Sequence, residues 1–201
     1  MIKVVGFGGE PASGKSTLML AVIGNWLRWT GEGRAVKWGS RGLVTSIYPG
    51  AKVAIIGFYE PGQTFGGTDR LSMSIQPEAA QFLAALSSDE HWDGWQVFFE
   101  GDRLFTSKFI HFVLHQNIPA RFFVLTCSEE ALEKRHKQRA DSQDARWLAG
   151  RKTKAKNIVQ EFGLPRLPHN CPEDTARLAL MFSEGTVWQL PEPIWKQEMM
   201  I

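Results

Sequence analysis

Eight residues near the start of the chain, Gly9-Glu10-Pro11-Ala12-Ser13-Gly14-Lys15-Ser16, fit the pattern Gly-x-x-x-x-Gly-Lys-Ser/Thr at every fixed position. Before them, Ile2-Lys3-Val4-Val5-Gly6-Phe7 reads as a buried strand; after them, Thr17 to Trp29 carries Leu18, Val22, Trp26 and Trp29 at helical intervals. A loop in that position is suited to an anion. The first amides of a helix lack intrahelical partners and concentrate positive partial charge, so Gly14, Lys15, Ser16 and Thr17 can aim N–H groups at a polyphosphate. Gly9 and Gly14 let the backbone close around it. Lys15 adds an ammonium for the β- and γ-phosphates, and Ser16 a hydroxyl for Mg²⁺. The expected nucleotide contacts are therefore Gly9, Glu10, Pro11, Ala12, Ser13, Gly14, Lys15, Ser16 and Thr17. The Glu10 carboxylate must point outward, since it would repel the phosphates.

A second constellation follows the apolar run Val97-Phe98-Phe99, which ends in Glu100-Gly101-Asp102-Arg103. An acid at the end of a strand beside the loop can hold Mg²⁺ together with Ser16, and Glu100 is the expected residue. Asp102 and Arg103 share its turn and could orient an acceptor and steady transferred charge. Thr68-Asp69-Arg70 supplies a further carboxylate and cation. Phosphoryl transfer to an alcohol needs a base for the hydroxyl proton and a cation for the equatorial oxygens, which Asp69 and Arg70 would provide. Either Asp69 or Asp102 can be that base, and Thr68 or Asp69 could equally be a helix cap.

Charge is segregated. Lys134 to Lys156 holds nine Lys/Arg against Asp141 and Asp144, a local excess of +7 in a chain whose net charge is only +2. Arg135 and Arg139 lie four apart on one helical face and are expected to reach the nucleotide; Arg146, Arg151 and Lys154 come after a polar interruption. Arginine suits a lid because its planar fork grips phosphate oxygens in pairs. Trp147 either packs in the core or stacks on a base, and core is the expectation because buried tryptophan is commoner.

The elements that must position these groups alternate. Strands are predicted at Ala35 to Trp38, Leu43 to Tyr48, Lys52 to Tyr59, Gln96 to Phe99, Arg121 to Cys127 and Gly185 to Leu190. Helices are predicted at Pro77 to Leu86, Leu104 to His115, from Ser128 in broken form to Phe162, and Glu173 to Phe182. Glu60 to Gly67 reads as an exposed loop and Pro165 to Cys171 as irregular. This pattern is an α/β fold with a parallel sheet, ligands at the carboxyl ends of its strands, in one domain over residues 1–201. The lid spans about 134–156 and a C-terminal tail 184–201. Only Cys127 and Cys171 occur, far apart, which argues against a disulfide framework or structural zinc. No apolar run approaches the roughly 20 residues needed to cross a bilayer, and a strand beginning at residue 2 leaves no room for a signal peptide, so a cytoplasmic protein without membrane partners is expected.

The loop, strand-end Glu100 and arginine-rich lid together resemble nucleoside and nucleotide kinases of the P-loop class. Four motifs are similar, more narrowly, to bacteriophage 5-hydroxymethyluracil DNA kinases. They are Gly8 through Thr17, Gly67-Thr68-Asp69-Arg70-Leu71-Ser72-Met73, Phe99-Glu100-Gly101-Asp102-Arg103-Leu104-Phe105 and Gly150-Arg151-Lys152-Thr153-Lys154. The resemblance runs from residue 2 to about Asn170. It implies a three-layer P-loop kinase fold with a five-stranded, mostly parallel sheet. It also implies transfer of the ATP γ-phosphate, with Mg²⁺, to the 5-hydroxymethyl oxygen of uracil bases already in DNA, a step toward hypermodified thymidines in a phage-infected bacterium. Lys15, Asp69, Arg70, Glu100, Asp102, Arg103 and Arg151 are then the expected catalytic residues. Such an acceptor needs phosphate binding over a wide patch and a base brought out to the γ-phosphate, with Tyr59, Phe65 and Trp147 as candidate stacking groups. Two rivals stand beside it: a kinase of a free nucleoside or nucleotide, and a nucleotide-hydrolysing switch. The chain has no Asn-Lys-x-Asp guanine signature.

Overall fold

Runs of valine, isoleucine and phenylalanine too apolar to face water on either side form the middle of one sheet. In the computed structural model, which describes residues 1–30, 33–59, 66–139 and 144–190, seven strands make up that sheet. They are β1 (Lys3–Gly9), β2 (Arg34–Trp38), β3 (Leu43–Tyr48), β4 (Val53–Ile56), β5 (Gln96–Glu100), β6 (Ala120–Thr126) and β7 (Arg166–Pro168), in the order β2-β3-β4-β5-β1-β6-β7. From β4 across to β7 every pairing is parallel, while β2 and β3 extend the sheet antiparallel. The expected five-stranded sheet is thus corrected to seven strands: five are parallel, and the extra two are the antiparallel hairpin β2–β3.

Six helices among the described residues cover both faces: α1 (Lys15–Thr30), α2 (Gln76–Ser88), α3 (Ser107–His115), α4 (Glu129–Arg139), α5 (Ala145–Phe162) and α6 (Pro172–Ser183). Alternation along β1 divides the core. Val5 and Phe7 face Leu18, Val22 and Trp26 of α1 and Phe182 of α6. Val4 faces the other layer, with Leu83 of α2, Ile110 of α3 and Ile158 of α5. Gly8 faces that second layer too, and a Cβ there would meet the Phe105 ring at 2.2 Å, so the missing side chain admits the aromatic.

Four local expectations change. Pro165 to Cys171 contains β7, whose three residues are too short and too exposed to show an apolar run. Gly185 to Leu190 is a 3₁₀ turn over Thr186–Gln189 rather than a strand. Gly185 takes a left-handed φ of 74° after α6, and the Trp188 indole donates to Gln96 Oε1 at 2.8 Å, which curls the apolar residues onto the sheet end. The helix expected from Leu104 begins at Ser107, because Thr106 caps it by accepting the Phe109 N–H at 3.2 Å; Phe105 precedes it. The strand expected to continue to Tyr59 ends at Ile56. The expected loop at 60–65 including Phe65, the tail at 191–201, Asp141, and the side chains of Trp29 and Arg139 lie outside the described residues. No described helix is long and apolar enough to cross a membrane.

Glu78, only 5% exposed, anchors the antiparallel hairpin to α2. Its carboxylate accepts the Arg41 N–H at 2.6 Å and the Leu43 N–H at 3.1 Å. Removing it strands two backbone donors, which typically costs about 2 kcal/mol. Glu78→Ala is expected to lower the melting temperature by about 4–8 °C in a calorimetric scan; an unchanged transition would show the hairpin is held by other contacts.

Candidate active site

Because β4, β5, β1, β6 and β7 run parallel, their carboxyl ends open on one edge, and the candidate residues gather there. The loop after β1 turns through Gly9 (φ 142°), Ala12 (φ 62°) and Gly14 (φ 89°) before α1 begins at Lys15. A side chain at Gly14 would lie 2.3 Å from the His169 ring, so both conformation and packing demand glycine. Lys15 arcs back over the loop and donates to the Gly9 carbonyl at 3.2 Å and the Glu10 carbonyl at 3.0 Å. The Glu10 carboxylate faces Lys152 of α5 at 4.0 Å, in line with the outward orientation its charge requires.

Across from the loop, Ser16 donates its hydroxyl to Glu100 Oε1 at 2.9 Å. Glu100 is 1% exposed, and its Oε2 has no hydrogen-bond partner among the described residues. Burial pushes its pKa up to about 7 against the opposing pull of Lys15, and the charge of Asp69 adds to the rise. The Tyr59 hydroxyl is buried beside it; burial first, then the charges of Glu100 and Asp69, hold that phenol well above its ordinary pKa. Thr68 donates to the Glu100 carbonyl at 2.5 Å, pinning the Thr68–Arg70 turn to the end of β5. Thr68 thus bonds a strand end rather than capping a helix. Asp69 opens to solvent at the cleft mouth but is hemmed in on its protein side. Desolvation raises its pKa, Lys15 lowers it and Asp102 raises it again.

Asp102 receives the lid. Arg151 Nη1 lies 3.0 Å from Asp102 Oδ2, and Lys154 donates to the Asp102 carbonyl at 3.2 Å. Burial lowers the Lys154 pKa while Asp102 raises it. Arg103 stands close enough to act electrostatically on both Asp69 and Lys154, and its buried Nε has no hydrogen-bond partner among the described residues. Arg70 sets its guanidinium 5.0 Å from the Phe58 ring centroid. Trp147, expected in the core, is 41% exposed under the Arg151 guanidinium, 4.9 Å from the ring centroid. It shares a stripe with buried Ile158 and Phe162 but is itself exposed.

Arg135 borders a cleft of about 1010 Å³ that runs from Gly14 and Thr17 along α1 toward Asn170 and Thr175. Its guanidinium also braces the loop, donating to the Ala12 carbonyl at 3.3 Å, Cys127 Sγ at 2.8 Å and the His169 carbonyl at 2.9 Å. His169, just past β7, is the main residue that sequence reasoning misses. It is 1% exposed, with Nδ1 2.7 Å from the Ser13 carbonyl and Nε2 2.7 Å from the Thr175 hydroxyl. Burial lowers its pKa, outweighing the Ser13 bond, and so favours the neutral ring. The carbonyl can only accept, so Nδ1 carries the proton and Nε2 accepts from Thr175. No spacing links residue 169 to residue 13; only β7 does so.

Among the described residues no group of three or more His, Cys, Asp or Glu could hold a metal alone. Ser16 and Glu100 do offer a hydroxyl and a carboxylate with an orphaned oxygen, a donor pair that fits a hard cation completed by phosphate and water oxygens. Comparison with models of known protein families and with curated proteins finds no match.

The pKa of Glu100, about 7 in the fold, lies above the roughly 4.3 of an unfolded glutamate. Between those values the native state holds a proton that the unfolded chain has lost, so this residue costs stability as pH rises. Glu100→Gln is therefore expected to be more stable than wild type above pH 7, by on the order of 3 kcal/mol, with the gap closing toward pH 4. Parallel denaturant titrations test this, and a gap that does not change with pH would rule out the buried titration.

Proposed function

We propose that this chain is an ATP-dependent kinase phosphorylating the 5-hydroxymethyl oxygen of 5-hydroxymethyluracil in DNA, within the cytoplasm of a phage-infected bacterium. The observation that carries the kinase reading is the Ser16–Glu100 pair at 2.9 Å, set between a lysine-bearing glycine loop and two further carboxylates. The choice of acceptor is supported by the resemblance of the four motifs and by the concentration of positive charge in α4 and α5.

In this reading Gly14, Lys15, Ser16 and Thr17 receive the phosphates on backbone N–H groups, and Lys15 exchanges two loop carbonyls for phosphate oxygens. Ser16 and Glu100 would hold Mg²⁺, which neutralises charge shared by the β- and γ-phosphates. Asp69 accepts the proton of the acceptor hydroxyl as that oxygen bonds to the γ-phosphorus and the bond to the bridging oxygen breaks, releasing ADP. Its raised pKa suits the role, since a stronger base takes the proton more readily. Arg103 and Arg151 offset charge on the equatorial oxygens, Arg151 with the N–H groups that Asp102 does not take.

Incubation with γ-³²P-ATP and DNA containing 5-hydroxymethyluracil, thymine or 5-hydroxymethylcytosine, followed by digestion to nucleosides, tests the assignment. Label is expected only on 5-hydroxymethyluracil; label confined to added free nucleosides or nucleotides would move the assignment to a small-acceptor kinase. In single-turnover measurements Asp69→Asn is expected to slow transfer about 100-fold or more while nucleotide affinity is kept, and an unaltered rate would pass the base role to Asp102.

A further inference from the structure

We propose, taking the kinase reading above as given, that Trp147 is the platform on which the acceptor base stacks. Along α5 the residues Trp147, Arg151, Lys154, Ile158 and Phe162 follow one another at helical spacing and form one stripe facing the body of the protein. At its far end Ile158 and Phe162 are buried in the core, and at its middle Lys154 and Arg151 meet Asp102. Trp147 stands one turn beyond, about 6 Å further along the axis. A lone exposed aromatic is ordinary, but this one is held in place. Arg151 lies over its ring at 4.9 Å and is itself fixed to Asp102 at 3.0 Å, while the indole stays 41% exposed and open to a second partner.

The surroundings select the partner. Arg146, Arg151, Lys152, Lys154 and Lys156 crowd the same helix, complementing a phosphodiester strand. A flat, pre-oriented ring amid these cations suits a base carried by that strand, because every base has a face to stack and fixing the ring beforehand reduces the ordering cost. A duplex would have to extrude the base first, which the stacking helps to offset.

Initial rates of transfer from Mg-ATP to a single-stranded oligonucleotide containing one 5-hydroxymethyluracil test this in wild type, Trp147→Ala and Trp147→Phe. Trp147→Ala is expected to raise the KM for the oligonucleotide about tenfold or more with the KM for ATP little altered, and Trp147→Phe to stay close to wild type. An oligonucleotide KM unchanged in Trp147→Ala overturns the platform while leaving the kinase reading intact. So does a rise in both KM values accompanied by a lower melting temperature, which would mark Trp147 as structural. A wild-type protein that labels no DNA overturns the functional reading and the platform together.

Discussion

The site depends on a carboxylate buried without enough partners. Glu100 sits at the end of a central strand, 1% exposed, with one oxygen taken by Ser16 and the other meeting no hydrogen-bond criterion among the described residues, the Tyr59 hydroxyl lying close by. Leaving a buried acceptor unsatisfied is unfavourable, and a fold optimised only for stability would place an apolar residue there. The pKa of about 7 expresses the same cost as a reluctance to ionise. A cation between Ser16 and Glu100 would relieve it, so the cost of burying this carboxylate and its capacity to bind a cation are two aspects of one interaction.

Everything that holds this pair in place follows from the parallel sheet. β1 and β5 are neighbours, so the loop and Glu100 open side by side; β4 leads to Tyr59, β6 to Cys127 and β7 to His169. Hydrogen bonds then tie the strand ends to each other. Thr68 joins its turn to β5, while His169 and Arg135 clamp the loop backbone at Ser13 and Ala12. The loop is thus braced by bonds that do not use its N–H groups, which remain oriented by the start of α1. Contacts from α5 run through charge instead, Arg151 on Asp102 and Lys152 on Glu10.

Much of this was legible in sequence wherever one residue run obeyed one rule. The strands through Val4, Phe98 and Phe122 are continuous apolar runs because both faces are covered, and the loop declares itself through fixed glycine spacing. Glu100 could be placed because it ends such a run. Legibility failed where tertiary context decides. β7 is three residues at a sheet edge, with no pattern to detect. Val187, Trp188 and Leu190 look like a strand, but Gly185 and the bond from Trp188 to Gln96 turn them into a 3₁₀ segment. Trp147 shares helical spacing with core residues, yet periodicity cannot reveal which end of the stripe stays exposed. His169 reaches Ser13 only through a strand that sequence did not disclose.

The most direct test follows backbone amide resonances of ¹⁵N-labelled protein as Mg-ATP is added. The account predicts the largest shifts at Gly14, Lys15, Ser16 and Thr17, smaller ones at Glu100, and loss of all of them in Lys15→Ala. Saturable binding with those amides unmoved and the shifts gathered elsewhere would contradict it.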